Sequence, residues 1–189
     1  MKNTELKEIK RKVQEISEFV KDVLDTRIKD DSRFIELPDN ANKKAEQAFG
    51  HPIKSHRIKA DEIRHINNEH GERGKKNTIN SISLRKEDIA LLPYIMGAPD
   101  NVEQGSINNG KKSVRYYKYL SNGYVVVVER EASPKSNSVE NITMWAEKNH
   151  STNVGSANLK GTSVRTSVTH ISQNDTTKVM QDFEKAIEK

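Results

Sequence analysis

Ser113-Val-Arg-Tyr-Tyr-Lys-Tyr-Leu120, then Ser121-Asn-Gly123, then Tyr124-Val-Val-Val-Val-Glu-Arg-Glu131: this stretch decides the fold. Two runs of strand-forming residues flank an Asn-Gly pair, whose positive φ angles suit a tight hairpin turn. Val125–Val128 is apolar and β-branched throughout, the pattern of a central strand. Downstream, Ile142, Met144 and Ala146 alternate with Thr143, Trp145 and Glu147, predicting a third strand over Asn141–Lys148. Residues 149–161 are rich in Ser, Asn and Gly and read as a loop. Thr162–Ile171 alternates less regularly and reads as a fourth strand or an extended arm.

Upstream of Lys111 the period is helical. Leu6, Ile9, Val13, Ile16, Val20 and Val23 recur at spacings of three and four, predicting one long amphipathic helix over residues 4–29. Its stripe is suited to pack on the domain or on a second copy of itself. Phe34–Leu37 is a short strand candidate. Asp39 is placed to cap a helix through Phe49, stopped by Gly50 and Pro52. Ser55–Lys59 reads as extended, Ala60–His70 as a helix ended by Gly71, and residues 72–78 as a mobile basic loop. Ile79–Ser83 is a weak strand, and Leu84–Met96 a helix that Pro93 bends or shortens. Asp175 would cap a last helix on Val179, Met180, Phe183 and Ile187. Helices first and an antiparallel sheet second make an α+β chain. It divides into an N-terminal helix (1–32), an α+β domain (33–173) and a C-terminal helix (174–189).

Composition narrows the function. The 189 residues are 33% hydrophobic and 31% charged, so the core is small for the surface it supports. With no cysteine, disulfide frameworks and thiolate metal sites are excluded. No apolar run approaches the ~20 residues of a membrane span, and the N-terminus lacks the apolar core of a signal peptide. The expectation is a soluble, cytoplasmic protein. A net charge of +5 favours a polyanionic partner, although the same charge also serves plain solubility.

Ala60–Gly71 carries the chemistry. His70 shares a helix face with Ile63 and Ile66, while His65 points away beside Asp61 and Asn68. Rings so placed do not chelate one ion, and no HExxH pattern is present, so neither a metal nor a cofactor is expected. At a helix C-terminus His70 sits where the dipole favours its protonated form. Two imidazoles can serve as acid and base when a 2′-hydroxyl attacks its own phosphate. Such a reaction also needs donors on the non-bridging oxygens. Lys112 and Arg115 would supply them, with Thr143 as a hydroxyl donor. Lys75, Lys76 and Lys111 would hold the backbone, and Trp145, on the face of Thr143, would stack a base. Each feature also has a structural reading: buried histidine, solvated lysine, packing tryptophan.

The order of these pieces resembles the phage and mobile-element nucleases grouped with barnase, EndoU, the colicin tRNases and RelE. The likeness runs from about residue 57 to 147. It rests on Ile63-Arg64-His65 with His70-Gly71, Ile82-Ser83, Asp88-Ile89, Leu92-Pro93 and Pro99-Asp100. Lys112 with Arg115-Tyr116, Val125–Glu129 and Thr143-Met144 complete it. The resemblance implies helices packed on a four-stranded antiparallel sheet, with the site across the sheet. It implies a metal-independent endoribonuclease, often a toxin, leaving a 2′,3′-cyclic phosphate, with His65, His70, Lys112, Arg115 and Thr143 as site residues. The partners implied are RNA, with tRNA one candidate, and an immunity protein. Two other readings share the features: a non-catalytic nucleic-acid-binding module, and an interaction protein that self-associates through residues 4–29.

Overall fold

The computed structural model describes residues 3–26, 28, 31–107, 109–120, 123–133 and 137–149. In chain order its elements are α1 (Asn3–Asp25), β1 (Ser32–Ile35), α2 (Asp39–Phe49), β2 (Ser55–Lys59), α3 (Ala60–His70) and β3 (Ser81–Ile82). They continue with α4 (Lys86–Ile89), α5 (Leu92–Gly97), β4 (Asn101–Gln104), β5 (Ser113–Tyr119), β6 (Gly123–Ser133) and β7 (Ser138–Lys148). The expected fourth strand at 162–171 and the C-terminal helix lie outside the described residues.

The class is α+β, but the sheet differs from the four-stranded antiparallel one expected. Among the described residues it has seven strands, in the order β1-β2-β7-β6-β5-β4, with β3 pairing the far half of β7. It is also mixed, because β2 runs parallel to β7 while the other pairings are antiparallel. Two physical reasons account for the difference. β4 is a four-residue edge strand whose one apolar residue, Val102, gives no alternating signal. β2 and β7 are far apart in sequence, so nothing local announces their pairing.

Helices cover one face of the sheet. Val114, Tyr116, Val125, Val127, Met144 and Ala146 point into this core, with Ile58 from β2 and Ile35 from β1. α2 packs on β4 and β5, α5 on β5 and β6, and α3 on β2 and β7. α1 lies across α3, α4 and α5, burying Ile9, Val13, Ile16, Phe19, Val20 and Val23. The stripe that was a candidate for pairing two chains is therefore used within one chain. At roughly 25 cal/mol per Å² its burial is a main stabilising term. The expected Pro93 bend is a break: α4 ends at Ile89, and Pro93 falls in the first turn of α5, where its missing N–H costs nothing.

A polar cluster sits inside the core. His56 Nδ1 lies 2.9 Å from Glu129 Oε2, and its Nε2 lies 3.0 Å from Asn42 Oδ1. The ring thus bridges the Glu129 carboxylate and the Asn42 side-chain amide. Tyr116 donates its hydroxyl to Glu129 Oε2 at 2.7 Å, and burial, with Glu129 beside it, pushes that phenol's pKa far up. His56 and Glu129 are fully buried. Together they tie β2, β5, β6 and α2. A register shift between Val128 and Glu129 follows directly, pairing Val128 with Thr143 and Glu129 with Asn141.

Removing one partner strands the other in the core. Glu129→Ala is expected to lower unfolding free energy by about 3–5 kcal/mol, and Tyr116→Phe by about 1–2 kcal/mol. Urea denaturation measures both; equal, small losses would show that the cluster does not hold the fold.

Candidate functional site

α3 stands in a notch of the sheet. β2 pairs β7 only over residues 138–140 of β7, and β3 pairs it only at Ala146 and Glu147. Between these points the chain leaves β2 at Lys59 and enters α3 at once, so the helix lies along the stretch of β7 that holds Thr143. Ala60, Ile63 and Ile66 are buried and anchor it. Its far end is fixed by Leu84 N–H, which donates to His70 O at 2.9 Å. Gly71 closes the helix, with its N–H on Asn67 O at 3.0 Å. A Cβ at this position would stand 2.3 Å from that oxygen, so the close approach requires glycine.

The loop that follows is not the mobile segment expected. Lys75 N–H and Lys76 N–H donate to Asn68 O and Glu69 O, folding it back on α3, and Asn77 Nδ2 donates to Gly71 O.

The register sorts the side chains of the sheet. Pointing away from the core are Glu103, Arg115, Val128 and Thr143 in one row, and Asn101, Tyr117, Val126 and Trp145 in the next. Tyr119, Tyr124 and Glu147 form the row beyond. On the other side of the Thr143 row, Arg130 and Glu140 pair across strands, with Arg57 opposite Glu140 on β2. This outer face meets the histidine helix along β7.

The helix brings both imidazoles to that edge. The His70 ring lies 6.4 Å from Trp145, centroid to centroid. Burial lowers its pKa first, and the charges of Lys76 and His65 add to this, with Glu69 opposing. The shift runs against the helix-dipole expectation for His70, because desolvation, with Lys76 and His65 adding to it, disfavours the protonated ring. His65 also acts on Glu62, one turn earlier, whose carboxyl is raised by burial in spite of Lys59, His65 and Arg130. Glu140 is the anionic hub beside them. Lys59 Nζ lies 2.5 Å from its Oε2 and Arg130 Nη2 2.8 Å from its Oε1. Burial alone would raise the Glu140 carboxyl, but these two cations hold it below the usual carboxylate range.

The sequence-predicted residues fall in three places. His65, His70, Thr143, Trp145 and the exposed Arg115 share the outer face or its edge. Lys112 does not join them, because its Nζ donates to Phe49 O at 2.7 Å at the end of α2, on the helix-covered side. Lys111 is engaged with Ala132 O at 3.1 Å. Lys76 pairs with Glu69 at 3.4 Å. Lys75 lines a separate cleft of about 770 Å³ with Arg73, Arg85 and Lys86, where Asp25, Glu72 and Glu87 nearly balance the charge. Lys59, Glu62, Arg130 and Glu140 were missed. The alternation of Arg57 and Lys59 against His56 and Ile58 on β2 was the available signal.

Among the described residues no helix is long and apolar enough to cross a membrane. No curated protein and no solved structure matches the chain. Residues 37–153, well over half of the sequence, match the family described as phage-Barnase-EndoU-ColicinE5/D-RelE like nuclease3. That span takes in α2 to β7, the sheet's outer face and the histidine helix, and the chain belongs to this nuclease family.

Proposed function

We propose that the protein is an endoribonuclease working by histidine acid–base chemistry without a metal. The observation that supports this reading is the His70 ring against Trp145 at the edge of the outer face that holds Arg115 and Thr143, with His65 as the electrostatic neighbour of His70. A 2′-hydroxyl oxygen attacks the adjacent phosphorus, and a base takes its proton. The bond from phosphorus to the 5′-oxygen then breaks, and an acid protonates the leaving oxygen. The products are a 2′,3′-cyclic phosphate and a 5′-hydroxyl. Burial shifts His70 toward its neutral form, which suits the base, and we assign the acid's role to His65. Arg115, with Thr143 across the intervening Val128, donates to the charge that develops on the phosphate. Lys59 and Arg130 take the place expected of Lys112, which instead ties β5 to α2.

Total RNA incubated in EDTA should be cut to fragments ending in cyclic phosphate. His65→Ala or His70→Ala should each lose two or more decades of rate. A double alanine variant that cleaves like the parent would leave only a nucleic-acid-binding module.

The lowered His70 pKa fixes the sign of the pH dependence. A base must be unprotonated, so the acid limb of kcat/KM should have its midpoint below the ordinary imidazole value of 6.5. Lys76→Gln removes a positive neighbour, lets the ring bind its proton more readily, and should move that limb to higher pH. A limb that stays in place would remove His70 from the role of base.

Action as a toxin on cytoplasmic RNA extends the same reading. Induced expression in a bacterial host should then arrest growth, and His65→Ala should relieve the arrest; arrest by both forms alike would count against it.

A further inference from the structure

Beyond the row that holds Arg115 and Thr143, the outer face turns aromatic. Tyr117 and Trp145 occupy the next row, on either side of Val126, and Tyr119 and Tyr124 the row after that. Val126 is 1% exposed yet stands outside the helix-covered core, so these rings flank an apolar floor of their own. The Tyr117 and Tyr124 rings lie 6.3 Å apart. The polar tips of Tyr124, Trp145 and Tyr117 are tied down. Tyr124 donates to Glu147 Oε2 at 2.5 Å, the Trp145 indole to Glu147 Oε1 at 3.1 Å, and Tyr117 to Glu103 Oε2 at 2.9 Å. The hydrogen bond to Glu147 pushes the Tyr124 pKa to about 12, so its phenol stays neutral at physiological pH.

We infer that Trp145, Tyr117 and Tyr124 form a stacking platform for unpaired nucleotides of the RNA next to the bond being cut. The inference rests on the ribonuclease reading for its choice of RNA. Three observations support it. Rows two residues apart on a strand are about 6.8 Å apart, roughly twice the 3.4 Å rise per nucleotide of a stacked duplex. Bases that follow successive rows must therefore be unstacked and the strand extended. Next, Glu147 lies in the far aromatic row and repels phosphates, whereas Arg115, the cross-strand neighbour of Glu103, puts a cation in the Thr143 row. The backbone is held at the Arg115–Thr143 row while bases take the platform. Finally, fixed aromatic faces accept any base, but only from single strands, loops or ends, because a duplex keeps its base faces covered.

Trp145 is the only tryptophan of the chain, so its fluorescence reads the platform directly. The probe is a short 2′-O-methyl RNA, which binds but lacks the attacking hydroxyl. Titration of the full chain with the single strand should quench Trp145 emission saturably, and the same oligomer annealed to its complement should bind at least tenfold more weakly. Tyr124→Ala or Tyr117→Ala should weaken single-strand binding roughly tenfold. Tyr124→Phe, which keeps the ring, should bind like the parent. Binding with unchanged emission, or equal affinity for single strand and duplex, would overturn the platform. Cleavage of unmodified RNA without quenching would sink the platform and leave the nuclease. Quenching by a protein that cuts no RNA would do the reverse.

Discussion

A carboxylate buried against an imidazole sets the geometry on which the rest of the molecule depends. Glu129 points inward from β6 and meets His56 from β2, so these two strands take fixed positions on either side of β7. Side chains on a strand alternate faces, and a slip of one residue would send Thr143 and Trp145 into the core and Met144 and Ala146 to the surface. The register shift beside Glu129 absorbs the extra residue that such a slip would otherwise require. What holds the core therefore also decides which residues reach the outer face.

The site is a consequence of incomplete pairing. β7 is longer than either partner on its β2 side, and α3 fills the interval that β2 and β3 leave. A helix in a sheet notch offers its side chains at the same level as those of the strand beside it. The His70 ring can thus stand against Trp145 without any long loop to carry it. The paired cations around Glu140 are held in position by the anion they share.

The hairpin was legible because Asn-Gly between β-branched runs has one ready physical interpretation. The α1 stripe was legible from its spacing, although spacing alone did not say whether it met the domain or a second chain. The parallel pairing of β2 and β7 was not legible, since it joins segments with no local connection. Strand periodicity did contain one fact that went unused: Lys112 and Arg115 are three apart, an odd step, and so lie on opposite faces. The direction of the His70 shift could not be read from a helix end, because burial, its largest cause, comes from the fold.

The parallel strand pair also orders events in time. β2 has β1 on one side, but its other side, and the flank of the histidine helix that meets the sheet, have no partner until β7 has been made, near the other end of the family's span. During synthesis the histidine helix and the outer face of β5–β7 therefore stay apart until that late strand emerges.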